Sequence, residues 1–554
     1  MTDFRNKVVY QIYPKSFKDS DGDGVGDLRG IIEKLDYLAE LGVDYLWITP
    51  FFLSPQKDNG YDVADYTAID PRFGSMEDFE ELVSAAGKRG LKIMLDMVLC
   101  HTSDQHLWFQ KALGGDETYR RYYILRDGRN KKSPEDPGEP PTNWQCAFGG
   151  SAWQWEPRLG KWYLHLHDVS QPDLDWTNPR VREELAGVVR FWKERGVAGF
   201  RFDVINLISK PERFEDDTEG LGRRLFADGP HVHEYLRELV ASAGLEGMVT
   251  VGEMASTDLE NCLLYTRPEA HELSMVFNFH HLKVDYRDGD KWALMEPDIM
   301  ELKRLFAAWQ TGMAEGGGWN ALFWCNHDQP RIVSRFGDEK TYRKESAKML
   351  AACIHLMRGT PYIYQGEEIG MTNPGYTSID QYRDVESLNH YQILLDKGKT
   401  EGEALEILSV RSRDNGRTPM QWSEEPHGGF SEAEPWIPVA ANFAEVNVAS
   451  DLGEKDSIFS FYRELIRIRK EMPIVAEGGI RFLEEENPDV LAYERRWNNE
   501  SLIVLCNFRR QYARLIKGCV SDYEKDGYRK RIGNYQGTGA GLRPYEVIVY
   551  HKVG

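Results

Sequence analysis

The stretch "VREELAGVVRFWKERGVAGFRFDV", residues 181–204, changes its period part-way along. Up to Gly196 its apolar residues, Val181, Leu185, Val188 and Trp192, recur at helical intervals. From Gly199 onward it reads as a short buried strand, "GFRFDV". A helix that runs straight into an apolar strand is the repeating unit of a parallel sheet wrapped by helices. The strand is nevertheless not wholly apolar. Arg201 and Asp203 stand two positions apart, so both point to the same face. Opposite charges on a buried face are either a core salt bridge or equipment for chemistry.

The same alternation runs through the first hundred residues. "VVYQIY" (8–13) is a strand, and "IIEKLDYLAELG" (31–42) predicts a helix with Ile31, Leu35 and Leu38 on one face. "DYLWIT" (44–49) is the second strand, and the capping pattern from Ser75 to Asp78 opens the helix that leads into a third, "LKIMLDMV" (91–98). After His101 the rhythm stops for about seventy residues rich in Gly, Pro and Trp, including "DPGEPPTNWQCAFGGSAWQW" (136–155). It resumes at 181–204 and continues with strands in "MVTVGE", "LSMVFNF", "ALFWCNHD" and "PYIYQGEE". Eight such units predict an α/β fold, a closed (β/α)8 TIM barrel built from residues 1–101 and 172–475, with residues 102–171 as an inserted subdomain after the third strand. From residue 476 short alternating runs such as "VLAYERRW" and "SLIVLCNF" predict a C-terminal antiparallel β-domain, 476–554.

Composition narrows the function. The 554-residue chain carries a formal net charge of −21, which excludes a nucleic-acid partner, because phosphates demand a basic footprint. No stretch of eighteen apolar residues and no signal-peptide core occur, so no membrane partner and a cytoplasmic protein are expected; a monomer is the expected state. The seven cysteines are odd in number and never form a C-x-x-C pair, so buried free thiols are expected and neither disulfides nor a zinc site.

A barrel gathers the C-terminal ends of its strands around one mouth. The polar residues of the predicted strands lie there: Asp96 and His101 after the third, Arg201 and Asp203 after the fourth, Glu253 after the fifth, His327 and Asp328 after the seventh. Three of these carboxylates, Asp203, Glu253 and Asp328, in one cavity, with an arginine to hold one of them ionised, suit glycoside hydrolysis. One must stay charged and attack. Another must keep its proton at neutral pH to donate to the departing oxygen, and mutual repulsion raises its pKa in that direction.

From "YQIYPKSF" to "NGRTPMQW" the chain resembles the α-amylase superfamily, glycoside hydrolase family 13, and within it the α-glucosidase branch. The resemblance implies that Asp203 is the nucleophile of a retaining, exo-acting α-glucosidase and that Arg201 keeps it ionised. It implies that Glu253 is the acid and base, and that Asp328 grips sugar hydroxyls. It makes "DNGY" a clamp in which Asp58 takes hydroxyls of the terminal glucose and Tyr61 offers a stacking face, with Arg417 pairing to Asp58. His101 and His327 would donate to the same ring and Phe148 would line the entrance. One departure stands out: the third-strand motif reads "DMVLCH", with Cys100 where the family usually has Asn. A thiol is a weak hydrogen-bond partner, so support of His101 is expected to differ.

Two further stretches bear on ligands. "DSDGDGVGD" spaces Asp19, Asp21, Asp23 and Asp27 with Val25 between them, the order of the first nine positions of an EF-hand loop, but Gly30 stands at the twelfth. Four such carboxylates repel unless a cation neutralises them. The resemblance implies a structural Ca2+ or Mg2+ there and no organic cofactor. In "NFHHLKVDYRDGDKW", His281, Lys283 and Lys291 gather in an otherwise acidic chain, a pattern suited to a phosphate. This stretch and "GEMASTDLENCLLYT" resemble the trehalose-6-phosphate hydrolase group of the family, with oligo-1,6-glucosidases acting on isomaltose as the alternative. The expected partner is a small disaccharide.

Overall fold

The computed structural model describes residues 4–133 and 135–554. Eight parallel strands, β1 Val9–Ile12, β2 Tyr45–Ile48, β3 Lys92–Met97, β4 Gly199–Phe202, β5 Val249–Glu253, β6 Met275–Phe277, β7 Ala321–Leu322 and β8 Thr360–Tyr364, lie side by side in the order β6-β5-β4-β3-β2-β1-β8-β7. A parallel bridge from Val276 to Asn320 joins the two ends and closes the barrel. The strands are buried on both faces, as expected of a sheet covered by helices, and read as apolar runs for that reason. The helix Pro179–Glu194 starts on an Asn178 cap with proline in its first turn, and buries Val181, Leu185, Val189 and Trp192.

Register sets up the mouth. Asp96 of β3 pairs level with Arg201 of β4, and Arg201 pairs level with Val251 of β5. Residues level across parallel strands point the same way, so Asp203 and Glu253, each two positions further on, share the next layer up. The β7 strand is much shorter than "ALFWCNHD" suggests. The Asn326 side chain accepts from the Asp328 N–H in a local turn, which puts His327 and Asp328 in the loop beyond the strand.

The capping box at Ser75 and Asp78 is present on the helix Met76–Lys88. The helix over 31–42 is interrupted: Leu28–Glu33 and Leu35–Leu41 meet at Lys34, whose N–H turns back to Ile31 and Ile32. Within residues 125–164 three short antiparallel strands form a small sheet, and this region leans on the long loop after β4 through a Trp144 Nε1 donation to the Glu215 carbonyl at 2.9 Å. The five-stranded antiparallel sheet of residues 479–553 is tied to the barrel by Arg495, which is buried and donates to the carbonyls of Leu356, Val475 and Gly478. The chain also leaves the barrel after β8. Helices Val385–Asp396 and Glu401–Arg411 pack there around their own apolar cluster, including Tyr382, Leu394, Leu408 and Ile437. Six of the seven cysteines are buried and all are unpaired; Cys519 is partly exposed, a departure from the expectation that all are buried. No helix among the described residues is long and apolar enough to cross a membrane.

Candidate active site

Arg201 lies at the centre of the mouth and is fully buried. Its Nη1 donates to Asp96 Oδ1 at 2.6 Å and to Asp203 Oδ1 at 2.7 Å, and its Nη2 pairs with Glu253. Asp96 also receives Trp47 Nε1 at 3.1 Å and the Tyr61 hydroxyl at 2.9 Å. One guanidinium therefore serves three carboxylates, too few positive charges for all three to ionise freely. Burial pushes Glu253 up to about 8, with the charges of Asp203 and Asp328 adding to it and Arg201 opposing. Burial likewise raises Asp96 to about 7. For Asp203 burial acts upward too, but Arg201, His101 and His167 together outweigh it and hold the carboxyl below its ordinary value. Two neighbouring carboxyls are thus driven in opposite directions, the arrangement that assigns one as base or nucleophile and the other as acid.

The residue after Asp203 is strained. Val204 sits at φ 35°, ψ 41°, in the left-handed region that a β-branched side chain avoids. Such a conformation costs about 1–3 kcal/mol and persists only when the surroundings impose it. Here it turns the chain sharply so that the Asp203 carboxyl stays on Arg201 while Ile205 begins a buried helical turn.

A second buried network adjoins the first. Arg413 Nη2 donates to Asp58 Oδ1 at 2.9 Å and to Asp384 Oδ1 at 2.5 Å, and its Nη1 reaches Asp328 Oδ1 at 3.3 Å. Arg417 Nη2 donates to Asp328 Oδ1 at 2.7 Å, its Nη1 to Asp384 at 3.3 Å and its Nε to the His327 carbonyl. The expected Arg417–Asp58 pair is therefore corrected: Arg413, one helical turn earlier, reaches Asp58, and Arg417 is committed to Asp328. Asp328 is held far below the ordinary carboxylate range: burial opposes this, and His327, Arg413 and Arg417 outweigh it. Burial raises Asp58 to about 7 against the pull of Arg413 and Arg417. Phe148 lies over the Arg413 guanidinium at 4.6 Å, which places it on the same wall.

The aromatic and histidine residues assemble as a floor. Tyr61 stacks on the His327 ring at 5.0 Å with planes 1° apart, so one of the two faces expected to serve a sugar is already occupied. His327 Nδ1 meets Gln11 Nε2 at 2.8 Å, and burial lowers its pKa to about 3 against the pull of Asp328. His101 Nε2 lies 3.1 Å from the Tyr61 carbonyl and 3.2 Å from Gln171 Nε2, and Gln171 also donates to Asp58 Oδ2 at 3.0 Å. Cys100 takes no part in that support. Its thiol lies 3.7 Å from both Asp173 Oδ2 and Lys210 Nζ, beside the 2.8 Å Lys210–Asp173 ion pair.

The expected phosphate residues separate. His281 is buried, with Nε2 on the Phe323 carbonyl at 2.8 Å and its ring among Phe306, Phe323 and Trp324, so it packs into the core and does not reach the mouth. Lys291 is paired with Glu386 at 2.6 Å. Lys283 alone of the three lines the cavity that also contains Glu253 and Asp328. In the loop near the start, Asp19, Asp21 and Asp27 bring oxygens within 4.8 Å of one another. Asp23 stands apart from that cluster, with its carboxylate accepting from the Val25 N–H in a local turn.

Sequence reasoning missed Arg413, Asp384 and Gln171. Only Arg413 left a signal: "RDNGR" places two arginines four apart, one turn of the short helix Asp414–Arg417.

With this geometry in place, comparison with known proteins is decisive. The family described as "Alpha amylase, catalytic domain" matches residues 11–478, and "Maltogenic Amylase, C-terminal domain" matches residues 480–547. The chain belongs to the α-amylase family. It is 51% identical over 558 residues to a trehalose-6-phosphate hydrolase of Bacillus subtilis (strain 168), covering 99% of this chain and 98% of the relative. An oligo-1,6-glucosidase of Bacillus cereus is 45% identical over 560 residues, covering 99% of each. The crystal structure of Bacillus licheniformis trehalose-6-phosphate hydrolase (TreA) superimposes with a TM-score of 0.93 at 50% identity, covering 100% of both chains. This member of the family is a glycoside hydrolase.

Proposed function

We propose that the protein hydrolyses trehalose 6-phosphate to glucose and glucose 6-phosphate with retention of configuration, through a covalent glucosyl-enzyme on Asp203. The observation that carries this reading is the opposed pull on two adjacent carboxyls: Asp203 held ionised and Glu253 raised to about 8. Asp203 attacks the anomeric carbon as the bond to the bridging oxygen breaks, and the Glu253 proton passes to that oxygen, releasing glucose 6-phosphate. Glu253, now ionised, takes a proton from water. That water displaces Asp203 and frees glucose. One guanidinium spans both carboxyls, which favours the short separation of retaining enzymes over the roughly 6.5–9.5 Å of inverting ones.

Asp58 and Asp328, fixed by Arg413 and Arg417, grip hydroxyls of the transferred glucose and close that end of the site, which makes the enzyme exo-acting. The phosphorylated substrate is favoured over isomaltose by the likeness to trehalose-6-phosphate hydrolases and by Lys283 in the cavity beside Glu253. Asp19, Asp21 and Asp27 are an all-oxygen set that fits a hard cation. They would hold a Ca2+ or Mg2+ with a structural role.

The test is a parallel assay on trehalose 6-phosphate, trehalose, isomaltose and maltose, with the anomer of released glucose followed by NMR in the first minutes. α-Glucose first, and the highest kcat/KM on the phosphorylated sugar, are expected. Early β-glucose would overturn the mechanism, and a preference for isomaltose would overturn the substrate.

A further inference from the structure

We propose that Asn206 is a positioning residue that fixes the separation of Asp203 and Glu253, its side-chain amide serving as one more rung past the end of the β4–β5 ladder. This rests on the nucleophile and acid roles proposed for those two carboxyls. The register between β4 and β5 ends at Phe202 and Gly252, one residue short of each carboxyl. Beyond it the chains bond to opposite neighbours. The Asp203 N–H donates to the Met97 carbonyl of β3 at 3.0 Å, and the Met254 N–H donates to the Phe277 carbonyl of β6 at 3.2 Å. The two loops thus part at the layer where both carboxyls reach Arg201.

Asn206 bridges them. It lies in the buried helical turn Ile205–Leu207 that follows the strained Val204, and it is itself fully buried. Its Oδ1 accepts from the Ala255 N–H at 2.9 Å, and its Nδ2 donates to the Ala255 carbonyl at 2.8 Å. Ala255, two residues after Glu253, therefore receives both of its main-chain bonds from one side chain, as it would from a paired strand. The second Nδ2 hydrogen goes to Asp228 Oδ1 at 3.0 Å, and the Asp228 N–H donates to the Asn206 carbonyl at 2.9 Å. Asp228 is held in turn by the Tyr265 hydroxyl at 2.7 Å and by Asn261 Nδ2 at 3.2 Å, both on the helix Leu259–Thr266 that follows β5. A donor at one end of the amide and two acceptors at the other leave it a single orientation. The stitch runs from the loop that carries Asp203 to both the turn and the helix that follow Glu253. Asn206 does not line the cavity around Glu253, so it acts through the backbone and not on the sugar. Without the rung, Asp203 keeps its hold on β3 and Arg201, while Glu253 drifts with β6. The loss then falls on the step that needs the Glu253 proton.

The rung is tested by measuring kcat and KM for wild type, Asn206→Ala, Asn206→Asp and Glu253→Gln on two substrates. One is whichever of the four sugars assayed above wild type hydrolyses fastest, whose leaving oxygen must be protonated. The other is α-glucosyl fluoride, whose leaving group departs as an anion. The ratio of kcat/KM on the two cancels differences in folded fraction. A misplacement on the order of 1 Å can cost about 100-fold, so both Asn206 variants should lower the ratio about 10- to 100-fold. The fall should lie in kcat, with KM for the sugar within about threefold of wild type. Asn206→Asp keeps an oxygen for the Ala255 N–H but turns another against the Ala255 carbonyl and Asp228, so it should fall with Asn206→Ala despite its matching size. Glu253→Gln should lower the ratio further. Equal losses on both substrates in Glu253→Gln overturn the acid role and the rung with it. A selective loss in Glu253→Gln beside wild-type ratios in both Asn206 variants overturns the rung and leaves the acid role standing. Asn206 variants that lose both substrates equally do the same, since that is the mark of a merely structural residue.

Discussion

The mouth of the barrel holds two buried arginine centres that differ in charge balance. In the first, Arg201 alone faces Asp96, Asp203 and Glu253. In the second, Arg413 and Arg417 together face Asp58, Asp328 and Asp384, and Arg413 also lies 3.4 Å from Glu386, which Lys291 pairs. The first is short of positive charge, so two of its carboxyls rise, Glu253 to about 8 and Asp96 to about 7. The second holds Asp328 and Asp384 well below their ordinary values, because its arginines outweigh burial there, and only Asp58 rises. A shortage of cations keeps a proton available for transfer. A closer balance keeps Asp328 and Asp384 charged and holds the grip rigid.

The largest expected effect breaks the first centre. Asp203→Asn removes the proposed nucleophile while leaving a side chain of the same shape on Arg201, and kcat should fall by on the order of 10^4 or more. A variant within tenfold of wild type would erase the distinction between the two centres. The next acts on the second centre. Arg413→Gln leaves Asp58 without an arginine and Asp384 with Arg417 alone, and a broken buried pair costs about 3–5 kcal/mol. Chemical denaturation should register that loss, and KM for an aryl α-glucoside should rise. An unchanged midpoint would show that Arg417 alone suffices.

The two centres also differ in how far they could be read in the sequence. The first rests on strands: a helix–strand alternation sets the barrel, and spacing of two along β4 puts Arg201 and Asp203 on one face. The second is assembled from loops. Asp58, Asp384 and Arg413 come from segments with no shared period, and their meeting depends on the excursion after β8, which left no signal in strand patterning. His281 shows the opposite error. A histidine beside lysines in a string looks like part of a cationic patch, but its helical turn aims the ring at Phe306 and Phe323 in the core.

The loop near the start sharpens the comparison, because it buttresses only one centre's neighbourhood. Asp19 accepts from the Ser431 hydroxyl and its N–H bonds to the Phe430 carbonyl, while the Trp436 N–H donates to Gly24. These contacts fasten the segment that follows Arg413 and Arg417. Chelation should therefore lower thermal stability, by about 2.7 kcal/mol if the ion is present at a hundredfold its Kd, and Ca2+ or Mg2+ should restore it. KM should move more than kcat. A chelator that leaves the melting midpoint in place would remove the ion from the account.

The smallest effect is the pH dependence, and its sign separates the centres. Activity needs Asp203 ionised and Glu253 protonated. Asp203 is held below its ordinary value and Glu253 is raised to about 8, so kcat/KM for an aryl α-glucoside should be flat through neutrality and fall tenfold per unit above about pH 8. Glu253→Gln should abolish that alkaline limb on a substrate whose activated leaving group needs no proton. Stability follows the same shifts. A folded-state pKa of about 8 for a glutamate means that the native chain binds more protons than the unfolded one between about pH 4.5 and 8, so Glu253 costs stability as pH climbs through that window. Asp328 and Asp384, whose values are lowered, contribute stability that is present above the unfolded carboxylate pKa and is lost only as pH falls through their depressed folded values. The melting midpoint of Glu253→Gln should accordingly drop less between pH 5 and pH 8 than that of wild type. An equal drop in both would mean that the charge-poor centre does not retain its proton, and the acid role of Glu253 would fall with it.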